Sequence, residues 1–201
     1  MKLRINKTIS VLFTAMIVIS VAKAQSSPTA TQPLRISAFG GATGTFTGLE
    51  SGKNLGITAG IDLTARPFYS FYPSLEVRGT YPFAEGHIDS QRNILVGLKV
   101  EKFYDRLRPY ADILFGRGSI HYENGGFPDP SNTFLYLQSP SNVLSVGGGA
   151  DYNLTDRFAV KAEVQFQRYS TPVTVSGYLY AKPITVGLVY RFDFNHRGHV
   201  R

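Results

Sequence analysis

Apolar side chains occupy alternate positions near the end of this chain: Ile184, Val186, Leu188, Tyr190 and Phe192. Thr185, Gly187 and Arg191 fall between them, and Val189 is the one apolar exception. A period of two places the two sets on opposite faces of a β-strand. Seven earlier runs read the same way. The first covers 34–43, with Leu34, Ile36, Ala38 and Gly40 on one face. The second is the clearest, Leu55, Ile57, Ala59, Ile61 and Leu63 alternating with Gly56, Thr58, Gly60, Asp62 and Thr64. Further runs cover 74–81, 94–101, 111–116, 144–152 and 158–167. The eighth, 183–192, closes the series. These runs predict eight antiparallel strands.

The connections alternate in length. Short polar turns follow the even strands, at 66–70, 104–109 and 153–157. Longer segments follow the odd ones, at 44–54, 82–91, 119–141 and 171–182. Most of the runs span about the 9–11 residues with which a tilted strand crosses a bilayer. One face of each run is apolar. The other is charged, hydroxylated or glycine-rich. A water-soluble barrel would reverse that distribution and fill its bore with apolar groups. In hydrocarbon every backbone N–H and C=O must find a partner within the protein, so the sheet must close. The predicted fold is therefore an all-β, eight-stranded, antiparallel up-and-down transmembrane β-barrel over 34–192. Aromatic residues near the short turns (Phe68, Tyr69, Phe71, Tyr72, Phe103, Tyr104, Tyr152, Phe158, Tyr190 and Phe192) are read as an interfacial girdle.

The start of the chain changes the reading of its charge. Residues 1–24 carry a basic start (Lys2, Arg4, Lys7), an apolar core from Ile9 to Val21 and a small-x-small pattern at Ala22 and Ala24. That combination is a secretion signal with cleavage before Gln25. The 201-residue chain has a formal charge of +7. Loss of Lys2, Arg4, Lys7 and Lys23 leaves +3, which makes no case for nucleic acid. Residues 25–33 read as a flexible polar lead, and 193–201 as a tail on the periplasmic side. The chain has no cysteine, which removes disulfides, thiol nucleophiles and a lipid-anchored cysteine.

Three segments carry a resemblance: the terminal Gly187-Leu188-Val189-Tyr190-Arg191-Phe192, the run Gly147 to Tyr152 with Arg157-Phe158-Ala159-Val160 beyond its turn, and Arg108-Pro109-Tyr110. On these the chain resembles the small OmpA-like barrels of the outer membrane protein beta-barrel domain group. The resemblance implies insertion in the outer membrane of a Gram-negative-type bacterium after export, with both termini periplasmic. It also implies that the last strand, through Gly187, Tyr190 and Phe192, is read by the barrel-assembly machinery. The chain departs from the pattern by continuing nine residues past Phe192.

An eight-stranded bore is just wide enough to be filled by side chains. The charged inward positions Glu76, Arg78, Lys99, Glu101, Asp112, Lys161, Glu163 and Arg191 are therefore read as a structural ion network, four acids against four bases. A narrow pore is the alternative. The favoured role is non-enzymatic: a monomeric structural or surface-interaction protein whose long loops face outward. Loop 119–141, with Phe127, Phe134, Tyr136 and Leu137, is the candidate contact surface for an extracellular ligand or lipopolysaccharide. The remaining alternative is a lipid A-acting acyl hydrolase. Ser119, His121 and Glu123 share parity at the end of strand five, in nucleophile, base and orienter order. Small lipid A deacylases of this architecture carry His-x-Ser, whereas this chain reads Ser119-Ile120-His121. No cofactor or metal is expected. His87 is isolated in a loop, and His196 and His199 in the tail lack a third ligand. The Gly40-Gly41 pair is not followed by the Lys-Ser/Thr of a phosphate loop and is read as a point of close backbone packing.

Overall fold

The computed structural model describes residues 35–84 and 86–192. The cleavage pattern at Ala22 and Ala24, the lead 25–33, Leu34 and the tail 193–201 lie outside them. Among the described residues ten strands occur: β1 (Arg35–Phe46), β2 (Lys53–Thr64), β3 (Phe71–Ala84), β4 (Asp89–Lys102), β5 (Leu107–Tyr122), β6 (Phe127–Pro128), β7 (Leu135–Tyr136), β8 (Gln138–Asn153), β9 (Phe158–Ser170) and β10 (Tyr178–Phe192). Strands β1–β5 and β8–β10 form one closed barrel in which each pairs antiparallel with its sequence neighbour, and β1 pairs with β10. This is the predicted eight-stranded up-and-down topology. The short β6–β7 hairpin stands apart from the wall.

The wall strands are 12–16 residues long, longer than the runs read from alternation. Most of the added length lies at the long-loop end. There the outward positions become Arg117, Ser119 and His121 on β5, and Gln138, Pro140 and Asn142 on β8. Side chains at that height meet headgroups and water instead of hydrocarbon, so the apolar–polar contrast fades while the pairing continues. Loop 119–141 accordingly shrinks to 123–137, and Ser119 and His121 are strand residues.

Outward positions are apolar and exposed, as at Ile57, Ile61, Val77, Ile94, Leu98, Ile113, Phe115, Phe166 and Val186. A second aromatic group (Phe46, Tyr81, Phe83, Tyr178 and Tyr180) stands at the long-loop end on the arc of β10, β1 and β3, opposite the girdle read from the sequence. Two members of the predicted girdle face the other way. Tyr72 pairs in register with the buried, inward Glu101 and stacks on Phe103 at 4.0 Å. Their rings, with Arg35 over Tyr72 and Arg108 over Phe103, floor the bore at its short-turn end.

The seam of the barrel depends on two glycines. Gly41 and Gly187 lie opposite each other where β1 meets β10. A Cβ at Gly41 would come within 2.6 Å of the Gly187 Cα, and one at Gly187 within 2.7 Å of the Gly41 Cα. A side chain at either position pushes the first and last strands apart. Gly40, one residue away and outward, has open space around it. A closed barrel resists detergent until heated, so unboiled protein should migrate faster than boiled protein on a gel. Gly187→Val is expected to abolish the fast band, and Gly40→Ala to keep it. Equal behaviour of the two variants would contradict the seam.

Candidate functional site

The bore is filled in layers from the periplasmic floor to the loops. Above the Tyr72–Phe103 floor lies the ionic layer. Arg78 donates to both Glu76 and Glu163, reaching Glu163 Oε2 at 3.1 Å, and its guanidinium lies 3.7 Å from Asp112. Lys161 lies 3.1 Å from Glu163, whose Oε2 also accepts the Tyr110 hydroxyl at 2.8 Å. Lys99 bridges Asp62 at 3.0 Å and Glu101 at 2.9 Å. Arg191 reaches Asp151 at 3.6 Å and Asn153 at 2.8 Å. The cations also sit over rings: Lys161 over Phe39 and Tyr110, Lys99 over Tyr110, and Arg78 over Phe39. All eight charges read as inward sit in ion-paired groups inside the bore, those of Arg78 and Lys99 meeting at the Tyr110 ring and Arg191 pairing separately with Asp151. Asp62 and Asp151 belong to these groups as well. Both occupy polar positions of their strands, so the same alternation marks them.

Next to this layer runs a hydroxyl and amide tier. Thr43 meets Thr58 at 2.6 Å and Thr185 at 2.9 Å. Gln165 donates to both oxygens of Asp112 at 2.9 Å, and Asn93 to Tyr169 at 2.7 Å. The long-loop end adds apolar packing to the polar bore read from the sequence, which continues there through buried Thr47, Asp89 and Gln91. Leu95, Leu114, Ile120, Tyr122, Val143, Tyr169 and Leu179 point inward there and pack with Leu49 and Val173 from the loops as an apolar cap. The cap is fully removed from water, with Leu95, Leu114 and Ile120 at 0% exposure.

The candidate triad sits on the outside. Ser119 Oγ accepts a hydrogen bond from Gln138 Nε2 at 2.7 Å across the β5–β8 pairing. His121 follows two residues later with outward parity, and its buried Nε2 has no hydrogen-bond partner. Glu123 lies past the end of β5, where its backbone N–H donates to Ile88 O at 2.9 Å.

The long loop divides its predicted contact residues. Phe127 and Tyr136 fold down onto the apolar cap, with the Phe127 ring 6.0 Å from Tyr122. Phe134, Leu135 and Leu137 face solvent at 64%, 68% and 64% exposure. Asp129 organises the hairpin tip. Its Oδ1 accepts the backbone N–H groups of Thr133 at 2.7 Å and Phe134 at 3.0 Å, and its Oδ2 takes the Ser131 hydroxyl. The Ser131 hydrogen bond, with these backbone donors, holds the Asp129 carboxyl below its ordinary pKa. In the last strand, Tyr190 packs on Phe158 and Phe192 at 5.1 and 4.9 Å.

The outer membrane protein beta-barrel domain family matches residues 10–192. The chain belongs to that family. It is an outer-membrane β-barrel, and the charged layer is the interior of its transmembrane wall. Neisserial surface protein A is similar at 14% identity over 79% of this chain and 97% of its own, with a TM-score of 0.50. Ail, the attachment invasion locus protein of Yersinia pestis, solved with the heparin analogue sucrose octasulfate, is similar at 11% identity over 79% and 99%, also at 0.50. The outer membrane enzyme PagL is matched at 13% identity over 79% and 99%, with a TM-score of 0.42. At these identities the likeness is one of fold. No curated protein sequence matches significantly.

Removing one partner from a buried ion network leaves charge without compensation, at a cost of about 3–5 kcal/mol. Arg78→Met should therefore lower the urea midpoint of the detergent-solubilised barrel, followed by gel mobility. Adding Glu76→Gln should restore part of it, because a neutral amide removes one unpaired charge while Glu163 still faces Lys161. A midpoint unchanged in Arg78→Met would refute the network's structural role.

Proposed function

We propose that this protein is a monomeric, non-enzymatic, plugged barrel that acts at the cell surface through its long loops. The observation that carries the reading is the Asp129-braced hairpin presenting Phe134, Leu135 and Leu137 to solvent. Clustered apolar groups on a rigid projection suit a contact surface better than a solvated loop. The ionic layer and the apolar cap support it from the other side, since they fill the bore that a pore would use. In this reading β10 serves as the recognition strand for the assembly machinery through Gly187, Tyr190 and Phe192. The loops meet either an extracellular protein or lipopolysaccharide. The test uses cells that display equal amounts of barrel on the surface. Replacing Phe134, Leu135 and Leu137 together by Ser should reduce adherence to protein-coated surfaces severalfold while the heat-dependent gel shift stays intact. Adherence equal to that of cells without the protein, before any substitution, would sink the reading.

One observation favours a second reading. Ser119 lines a groove on the outer wall, with His121 on the same face of β5. A lipid A acyl hydrolase would place its nucleophile at such a site. In that case expression removes one acyl chain from lipid A, by mass spectrometry, and Ser119→Ala restores it. An unaltered lipid A profile on expression would exclude this activity.

A further inference from the structure

The outer wall is grooved across β2, β3, β4 and β5 towards their long-loop ends. Ala59 pairs with Gly79, and Gly79 with Ile94, so two of the smallest outward side chains sit side by side in one row. Ile57, Tyr81 and Phe83 stand exposed beside them. The hollow is a broad, largely open groove of about 770 Å³. Its far edge carries two guanidiniums. Arg117 lies directly opposite Ile94, and Arg92 opposite Ser119, one outward position nearer the loops.

Two exposed cations lie together at this edge, whereas Lys182, exposed and outward at the long-loop end of β10, stands away from the groove. Arg92 and Arg117 are exposed, and neither makes an ion pair, hydrogen bond or ring contact through its side chain with a described residue. Lys53 and Arg168, outward at the same end, instead lie over the rings of Phe46 and Tyr178. Among the described residues, no outward position of the eight wall strands is Asp or Glu. Two unpaired guanidiniums at headgroup height are placed to meet an anionic headgroup. Guanidinium forks bind phosphate in paired hydrogen bonds.

We propose that this groove binds lipid A of the outer leaflet, with an acyl chain lying along Ala59 and Gly79 and a phosphate held between Arg92 and Arg117. The choice of lipid A rests on the loops-outward orientation of the proposed function, which puts the groove in the outer leaflet. The site is separate from the loop hairpin and needs no chemistry on the lipid.

The test is native mass spectrometry of the intact, detergent-purified barrel with added lipid A, dephosphorylated lipid A or phosphatidylglycerol. The wild type should retain lipid A, and removal of the phosphates should weaken binding about tenfold or more. Arg92→Gln with Arg117→Gln should do the same. Gly79→Leu blocks the other half of the groove. A Cβ there meets Asn93 O at 3.7 Å and Ile94 Cγ1 at 4.0 Å, ordinary contacts that leave the backbone in place. That variant should lose binding yet keep its heat-dependent gel shift. Wild-type binding in both variants would overturn the site. Phosphatidylglycerol bound as tightly as lipid A would overturn the assigned occupant. External protease cleavage within 124–138 on intact cells checks orientation separately, so a wrong orientation and a wrong site give different results.

Discussion

Hydrocarbon offers the backbone no hydrogen bonds, and this protein is organised around that fact. A strand facing lipid must be paired along both edges, so β1 and β10 must meet although they lie at opposite ends of the chain. They do so in unbroken register from Ile36 opposite Phe192 to Phe46 opposite Lys182. Bare backbone at Gly41 and Gly187 lets the two strands come together at the seam. Closure with eight strands then sets the bore. The space inside is about as wide as two facing side chains, and every inward residue must fit a neighbour across it.

That confinement explains the interior. Charged groups taken out of water are tolerated only when paired and hydrogen-bonded. Arg78 meets this condition by facing Glu76, Glu163 and Asp112 together, and Lys99 by standing between Asp62 and Glu101. Towards the loops Leu95, Leu114, Ile120 and Tyr169 pack beneath Leu49 and Val173, interleaved with buried polar groups such as Asp89, which accepts from Thr47 and Gln91. Cap and network together make a rigid, filled cylinder. Recognition is left to the parts such a cylinder presents: the loop tips and the outer wall.

Much of this was legible in the residues, and the misreadings have physical causes. The alternation of Leu55 to Thr64 marks β2 because its outward face meets hydrocarbon along its whole length. The outer ends of β5 and β8 were read as loop, since Arg117, Ser119, Gln138 and Asn142 face headgroups and no longer contrast with the inward side. Tyr72 and Phe103 were assigned to the lipid girdle by their nearness to a turn. Near a strand end parity decides between wall and bore, and theirs points inward. Phe127 and Phe134 look alike in the loop sequence. One packs on the cap and the other is exposed, because Phe127 lies beside Tyr122 at the base of the hairpin and Phe134 lies at its tip beside Asp129.

By itself the sequence determined the number of wall strands, the face taken by residues within the alternating runs and the long–short order of the connections. Those are local properties of a pleated backbone, written in a period of two and in turn residues. Only the tertiary structure decided that Arg78 reaches Glu163, 85 positions away. It also decided that Ala59, Gly79, Arg92 and Arg117 share one groove, and that Ser119 is held by Gln138. Such partnerships depend on how the strands stagger as the sheet closes. The stagger is a property of the whole ring, and no single strand encodes it.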